Sequence, residues 1–331
     1  MADRTPEERA AIWEKFSPIY QRLGLITTRQ NGLLAHYTSV ATIEQILKNN
    51  AIWLSNPLYM NDLQELRGGL AVALQKFPEV ALVAGRTVAR AQILTTAFNF
   101  FVAHFDSETS LDTYIFCLCN HEPGDTDGLL SMWREYGARG NGAALVFNLE
   151  KVNFNVTSPL LIAKVVYADD RQREDNLVAH LDAWASITQA LDLPPDRLSL
   201  AAHAAFMFTR LVALTTKHRG FSEEHEIRII YTPDHDPRGY LKPCLDYHVG
   251  PRGVEPKLKY RFGESYPPAD DKEPKEPLRA GSLTNLLEFI LLGPTVSSLH
   301  AKKAFIRMLE RNNLTAFEDR VFTSSIPLRP M

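Results

Sequence analysis

The sequence has few cysteines, no long uncharged apolar run and no large excess of one charge. Three of its 331 residues are cysteine, too few for a disulfide framework and typical of a reducing compartment. No stretch approaches the roughly 18 uncharged apolar residues of a membrane helix, and the charged N-terminus lacks the apolar core of a signal peptide. The net charge of -3 gives no basic field for nucleic acid or lipid. We therefore expect a soluble, cytoplasmic protein without a membrane partner.

Several common catalytic motifs are also missing. The chain has no Ser-His-Asp order, phosphate-binding loop, HExxH or CxxC pair, so the usual hydrolase, nucleotide triphosphatase and zinc classes lack support. Cys117 and Cys119 point to the same face of a predicted strand, but no further ligand follows at metal-site spacing. We interpret both as buried structural residues, because free cysteine behaves as a small hydrophobe.

The patterns that are present mix strands and helices along the whole length. The composition, 45% hydrophobic and 23% charged, is that of a globular protein with a sizeable core. Apolar runs predict strands at 33–37, 51–55, 113–119, 143–147, 161–167, 225–231 and 286–292. Helices are predicted from a capping box at 5–8, after Ser39, from Asn61, and within 70–105, 129–137, 171–217 and 295–312.

This order favours an α+β fold over a doubly wound parallel sheet, because regular βαβ alternation is absent. No repeat or linker divides the chain, so we expect one domain over 1–331. Residues 1–30 would form an N-terminal helical extension. Residues 251–280 are rich in proline and charge and predict a loop or flap.

Two polar clusters follow predicted strands in the first part of the chain. His36 lies at a strand end beside a helix N-terminus, whose free N–H groups suit a phosphate or a ribose-bearing ligand. The alternative is a structural histidine, with Ser39 as the helix cap. Ser55 opens the second cluster, which continues to Asp62 and Glu65; capping and the helix dipole explain part of it without function.

The segment 131–142 combines Trp133, Arg134 and Tyr136 with a glycine-rich turn. Aromatic rings supply a stacking surface, and arginine pairs with anions. The glycines follow a helix and lead into a strand, so this is not a dinucleotide-binding fingerprint. A tight turn explains the glycines but not the aromatic and arginine side chains.

A late strand places Glu224 and Glu226 two residues apart, on one face with Arg228. Two close carboxylates raise at least one pKa, and the arginine opposes that rise. Such a carboxylate serves as a base or stabilises a developing cation. Ordinary charges at a strand edge are the alternative.

Together, the segments HYTS, IWLSNPLYMNDLQE, SMWREYGARGNGAALVF and FSEEHEIRI resemble a widespread bacterial and phage family, domain of unknown function 2971. LEFILLGP and SSIPLR fit its C-terminal part. The resemblance covers a family core at about residues 33 to 328. The ordered combination of segments is far more specific than any one of them.

A more distant similarity is to ADP-ribosyltransferase folds, in which a histidine strand opens the fold and a late strand supplies a catalytic glutamate. It implies a mixed, mainly antiparallel central sheet with helical insertions, and NAD as co-substrate. His36 matches the first position and Glu226 the last, with Glu224 as its partner acid. By this resemblance His36 holds the adenine-side ribose, and Glu226 stabilises the cation formed as nicotinamide leaves.

The same resemblance places further side chains around NAD. The ring stacked on nicotinamide would be Tyr37, Tyr59 or Trp133, and Arg134 would pair with the pyrophosphate. The remaining cofactor contacts would come from Thr38, Ser55 and Tyr136. The match has departures: Tyr37 replaces a small residue, and the segment 131–142 has no clear counterpart in better-known transferases.

Three functional hypotheses follow. The first is an ADP-ribosyltransferase, a toxin or phage-defence effector that modifies nucleic acid or protein and works with an antitoxin or accessory protein. The second is a nucleotide- or nucleic-acid-binding module without turnover. The third is a metal-dependent hydrolase or nuclease that uses Asp62, Glu65, Glu224 and Glu226, because carboxylate oxygens suit Mg²⁺.

Overall fold

The computed structural model describes residues 12–20, 22–25, 32–60, 63–152, 158–250, 253–269 and 276–328. Within these ranges the helices are α1 (Ser17–Tyr20), α2 (Val40–Asn49), α3 (Leu63–Gly85), α4 (Val88–His104), α5 (Leu130–Glu135), α6 (Asp170–Leu191), α7 (Leu198–Leu214), α8 (Leu283–Leu286) and α9 (Leu299–Arg311). The strands are β1 (Leu33–Ser39), β2 (Ala51–Ser55), β3 (Tyr114–His121), β4 (Gly142–Asn148), β5 (Leu160–Lys164), β6 (Val166–Ala168), β7 (Thr216–His218), β8 (Glu226–Tyr231), β9 (Leu245–Gly250), β10 (Gly253–Arg261), β11 (Ser265–Tyr266), β12 (Leu278–Arg279), β13 (Leu287–Leu292) and β14 (Val321–Thr323).

The predicted α+β class with a mainly antiparallel central sheet is confirmed. The sheet runs β14-β13-β4-β1-β3-β2-β10-β9, and β8 pairs with both β3 and β5. Apart from β13 with β14, the strand pairs of this sheet are antiparallel. The predicted capping box at 5–8 and helix start at Asn61 lie outside the described residues.

The expected loop at 251–280 is wrong over Gly253–Arg261, which forms β10. In this segment polar and apolar side chains alternate, as in a strand, but its proline and charged residues were interpreted as signs of a loop. Pro256 lies opposite Tyr247 of β9 on one side. On its other side it has no partner among the described strands, because the ladder with β2 begins one residue later, at Lys257. A proline at an unpaired edge costs no ladder hydrogen bond.

Helix α2 forms where the sequence indicated it would. The Ser39 side chain accepts a hydrogen bond from the Thr42 N–H, which satisfies one of the free N–H groups of the first turn. Ile43, Ile46 and Leu47 then form its buried face. Asn50 ends it in the left-handed conformation, and α2 thereby connects β1 to β2 within a short segment.

The connection between β1 and β2 leaves a gap in the sheet. Along one edge of β3, β1 pairs only with Cys119–His121, and β2 pairs only at Ile115. The opposite edge of β3 is covered by β8 from Tyr114 to Cys119. Within the described strands, these registers leave 116–118 without a ladder partner on the first edge.

A layer of helices covers one face of the sheet. Helices α3, α4, α6 and α7 pack together in a core that also includes Ile115 and Ile230 of the sheet. The Phe77 and Phe98 rings stack at 3.9 Å between centroids, and Trp184 donates its indole N–H to the Ala201 carbonyl at 2.8 Å. The layer thus holds β3 and β8 from the α7 side.

The most apolar helical stretch lies at the centre of this layer. Among the described residues, Pro195–Leu214 alone is long and apolar enough to cross a membrane by length and composition, and 78% of it is buried inside the protein. A run of small alanines lets its neighbours approach closely. These properties are those of a core helix in a globular protein.

Candidate functional site

A cavity of about 710 Å³ occupies the gap between β1 and β2. Its walls come from α2, the unpaired edge of β3, β10 and the segment before β8. The polar side chains that line it are His36, Tyr37, Thr38, Thr42, Gln45, Ser55, Cys117, Tyr136, Lys217, Glu224, Glu226, His248 and Lys257. His36 and Glu226 therefore share one cleft, 190 positions apart in the chain.

His36 lies in the gap itself. Its Nδ1 is 2.9 Å from the Cys117 carbonyl oxygen, and its ring stacks on Phe116 at 4.3 Å between centroids. A carbonyl only accepts hydrogen bonds, so Nδ1 carries the proton and Nε2 is an acceptor. Burial lowers the pKa of His36 to about 4, although the bond to Cys117 opposes this shift. The Nε2 atom of the neutral ring can accept a hydrogen bond from a hydroxyl group of a ligand.

Glu226 lies on the other side of β3, at the first position of β8, and is 6% exposed. Its Oε1 accepts from Arg228 Nε at 2.8 Å, and its Oε2 accepts from Arg228 Nη2 at 3.1 Å and Lys217 Nζ at 3.3 Å. The Cys117 thiol is a fourth donor to this carboxylate. Four donors match the roughly four acceptor positions of a carboxylate.

Arg228 and Lys217 reach Glu226 because helix α7 ends beside it. Arg228 donates from Nη1 to the Leu214 carbonyl in the last turn of α7, at 2.8 Å, where a cation is also favoured by the helix dipole. Lys217 follows in β7, three residues after that helix. The hydroxyl of Tyr167 accepts the Glu226 N–H at 2.8 Å. Arg228 and Lys217 thus fix the carboxylate, and Tyr167 fixes the backbone of the same residue.

These neighbours decide the charge of Glu226. Burial on its own raises the pKa of a carboxyl group, but Arg228, with Lys217 and the Cys117 thiol, holds the pKa of Glu226 at about 2. The cations outweigh the effect of burial, which settles the direction that the sequence left open. Glu226 is therefore a fixed anion at neutral pH and is suited to stabilising positive charge rather than to accepting a proton.

Glu224 does not share the strand face of Glu226, which corrects the sequence prediction. It ends the 3₁₀ helix Arg219–Glu224, and His225 adopts a left-handed conformation (φ 43°) before β8 begins. Its two oxygens accept from Tyr136 Oη at 2.9 Å and Lys217 Nζ at 2.6 Å. Lys217 therefore connects the two carboxylates, and the predicted face with Arg228 is correct for Glu226 alone.

Seven of the ten predicted site residues line the cavity, and Trp133, Arg134 and Tyr59 do not. Trp133 is fully buried in a separate core cluster; its indole N–H donates to the Asp127 carbonyl at 2.8 Å. Its ring packs edge-on against Tyr37 at 4.7 Å, so it supports the cavity wall from behind. A buried ring offers no stacking surface, which corrects that prediction.

Arg134 is exposed on the short helix α5, away from the cavity, so the structure gives it no part in binding a pyrophosphate there. Tyr59 is half-buried in the 3₁₀ helix Pro57–Tyr59 beyond the cavity. Tyr37 is the remaining candidate from the predicted stacking set. It is only 4% exposed, and its hydroxyl accepts the Leu129 N–H at 3.1 Å.

The cavity residues missed by the sequence analysis include Trp53, Lys217, His248 and Lys257. A signal for Trp53 was present, because Ile52 and Leu54 face the core and alternation turns Trp53 to the other side. Lys217 follows a continuous apolar helix without any local pattern. His248 and Lys257 fall in a hairpin that was expected to be a loop.

The structure gives little support to the hypothesis of a metal-dependent hydrolase or nuclease. Among the residues described, no group of three or more His, Cys, Asp and Glu side chains could hold a metal ion. Asp62 and the side chain of Glu65 lie outside what is described. Glu224 and Glu226 are held by Lys217 and Arg228, so their oxygens already have cationic partners.

Comparison with known proteins gives a family for part of the chain. Residues 132–229 match the family model described as "Protein of unknown function (DUF2971)". This match confirms the family resemblance over a segment that contains Tyr136, Lys217, Glu224 and Glu226. No curated protein and no solved structure matches the chain.

Proposed function

From the cavity, we propose that the protein binds NAD and transfers its ADP-ribose to an acceptor. The observation that carries this proposal is that His36 and Glu226 line one cavity. Its volume of about 710 Å³ lies within the ~300–1,000 Å³ of small-molecule and cofactor sites. An acceptor in nucleic acid or protein, and a role as a cytoplasmic toxin or phage-defence effector, belong to the same proposal.

The proposed reaction needs a fixed anion rather than a strong base. The bond between nicotinamide and C1′ of its ribose breaks, and its electron pair leaves with the nicotinamide. The positive charge that develops on the ribose is stabilised by Glu226. An acceptor oxygen or nitrogen then bonds to C1′ and loses its proton to solvent. His36, neutral and held by Cys117, accepts a hydrogen bond from a ribose hydroxyl of the NAD.

A ribose hydroxyl that approaches Glu226 must replace one of its four donors. Arg228 is bidentate and charged, and Lys217 is charged, so both bind strongly. The Cys117 thiol is a weak donor and lines the cavity. We expect the hydroxyl to take the place of this thiol, while the two cations keep the carboxylate in position.

The test is nicotinamide release from NAD by purified protein, with and without RNA, DNA and protein from a cell extract. Glu226→Gln keeps the shape but removes the charge, so release should fall by about 100-fold or more, the scale of losing one stabilising group. Glu288→Gln is the matched control, because Glu288 pairs with Lys151 outside the cavity. Labelled NAD then identifies the acceptor.

Release that is equal in both variants, or absent although NAD binds, would remove this function. Folding of each variant is checked by its unfolding transition, because Glu226→Gln leaves Arg228 with a weaker partner. Any antitoxin or accessory partner would be sought only after release is established.

One observation favours a second function, a nucleotide-binding module without turnover. The full set of donors on Glu226 resembles a structural ion-pair network as much as a catalytic group. In that case NAD or another nucleotide would bind wild type and Glu226→Gln with similar affinity. Neither form would release nicotinamide.

A further inference from the structure

We infer that the end of the cavity formed by Trp53, His248 and Lys257 binds a phosphate group of the ligand, and that Lys257 is the residue that selects for it. This inference deepens the proposed function and rests on it for the identity of the ligand as NAD. It assigns the pyrophosphate contact for which Arg134 is wrongly placed. The selected chemistry is that of a nucleoside diphosphate.

The first observation is a buried ion pair in the cavity wall. Lys257 Nζ lies 3.0 Å from Glu255 Oε2, with side chains 11% and 7% exposed. It also donates to Ser55 Oγ at 2.8 Å. Desolvating two charges costs several kcal/mol, and apolar residues of similar size are commonly as stable. An ion pair kept at a cavity wall is therefore better explained by ligand binding than by stability.

The second observation is the hydrogen-bonding capacity of this end. An ammonium group has three donors, and the described bonds of Lys257 use two, to Ser55 and Glu255. The third can be donated to a phosphate oxygen. At the other end, Lys217 and Arg228 already donate to Glu224 and Glu226, so their N–H groups are less available to a phosphate than the third donor of Lys257.

The third observation is an aromatic surface beside the lysine. The half-buried ring of Trp53 lines the cavity, with the His248 ring at 5.5 Å between centroids and Lys259 Nζ at 4.7 Å from its centre. An indole face stacks on a nucleotide base, and such stacking contributes about 1–3 kcal/mol per base. Stacking beside a lysine suits a base that carries phosphate.

The strand registers set the separation of the two ends along β3. Ser55, the partner of Lys257, lies opposite Ile115, and Glu226 lies opposite Cys119. These two positions are four residues apart on β3, or about 13 Å at the rise of a β-strand. A ligand that contacts both ends must therefore be extended, as a dinucleotide is.

The experiment measures binding of ADP, adenosine and NAD by calorimetry to wild type and Lys257→Met. Wild type should bind ADP at least about tenfold more tightly than adenosine, and Lys257→Met should lose about tenfold or more for ADP and NAD only. Tenfold corresponds to the ~1.4 kcal/mol of a charge-assisted hydrogen bond. Lys151→Met is the control, since it breaks an ion pair outside the cavity.

Lys257→Met removes the cation that pairs with Glu255 and is expected to cost stability for that reason alone, so Lys257→Met/Glu255→Gln removes both charges together. It should fold and show the same loss for ADP. Equal affinities for ADP and adenosine, an unchanged ADP affinity in the double variant, or no ADP binding by wild type would overturn the inference. ADP carries no nicotinamide, so its binding tests the phosphate site independently of the reaction. If ADP binding depends on Lys257 but NAD is not cleaved, only the proposed reaction is wrong. If wild type and Lys257→Met cleave NAD equally well, only this inference is wrong.

Discussion

Two charged clusters depend on helix α7, and only one of them lines the cavity between β1 and β2. Arg210, in the helix itself, pairs with Asp234, which also lies 3.3 Å from His203 Nε2. Its guanidinium packs over the Phe105 and Phe206 rings, and of the residues described none of this cluster lines the cavity. The Glu226 cluster has the same kinds of groups but opens on the gap in the sheet.

The comparison teaches that buried charge alone does not mark a functional site. Both clusters hold the pKa of a carboxyl group, Asp234 or Glu226, well below its usual range against the effect of burial. What distinguishes the Glu226 cluster is its position in the cavity, where a bound ligand can reach the carboxylate by displacing one weak donor. The Asp234 and His203 side chains of the Arg210 cluster are 21% and 19% exposed, but the cluster packs against aromatic rings outside this cavity, and we assign it a structural role.

The largest expected effect is on the structural cluster. Arg210→Met leaves Asp234 with only His203 as an ion-pair partner, so the free energy of unfolding should fall by about 3 kcal/mol. Urea denaturation measures it. ADP binding by the folded variant should be unchanged, because the cluster is outside the cavity. Arg210→Met/Asp234→Asn should recover most of the loss, and a changed ADP affinity in folded Arg210→Met would break the distinction between the clusters.

A smaller effect is expected from His36 at acid pH. Its folded pKa of about 4 lies below the unfolded value of 6.5, so the unfolded state binds more protons between these values and stability falls with decreasing pH. Wild type should therefore lose about 1–3 kcal/mol between pH 6.5 and 4 relative to His36→Gln. The pKa of Glu226 is also depressed, to about 2 from 4.5. The stability that Glu226 contributes is therefore lost at more acidic pH, between about 4.5 and 2.

Urea denaturation of both proteins at several pH values measures this difference. Parallel curves for wild type and His36→Gln between pH 6.5 and 4 would show that His36 remains solvated in the folded protein. The cavity would then be more open than its hydrogen bond to Cys117 indicates.

The smallest effect compares two cysteines on one strand face. Cys117 donates to Glu226 and lines the cavity, whereas Cys119 is buried beside it and does not. Cys117→Ala removes the donor that a ribose hydroxyl must replace, so NAD affinity should rise by a few-fold, the scale of one hydrogen bond of about 1 kcal/mol or less. Cys119→Ala is the control, and calorimetry measures both. Equal NAD affinities in the two variants would contradict the displacement of this thiol.

Local structure was predictable where a single segment determines it. The Ser39 cap, the amphipathic face of α2 and the shared face of Glu226 and Arg228 follow from spacing within a few residues. These are properties of short windows, in which cap chemistry and alternation are decisive. Glu226 was correctly expected near a strand end, whereas His36, expected at the end of its strand, lies in the middle of β1, because the strand continues to Ser39.

The cavity itself was not predictable, because it depends on pairing between distant segments. The gap exists since β1 and β2 pair with separate parts of β3, which lies more than 50 residues further along the chain. The burial of Trp133 depends likewise on its packing against Tyr37. Lys217 reaches Glu226 only because α7 ends there. Tertiary contacts of this kind override local aromatic and charge patterns.

The gap along β3 has a mechanical consequence for the sheet. The β14-β13-β4-β1 wing and the β2-β10-β9 wing join this edge of β3 at separate points, so a molecule bound between them bridges two parts that the described strand ladders connect only through β3. Occupancy would then stiffen the sheet as a whole, and hydrogen exchange would slow in strands that never touch the ligand.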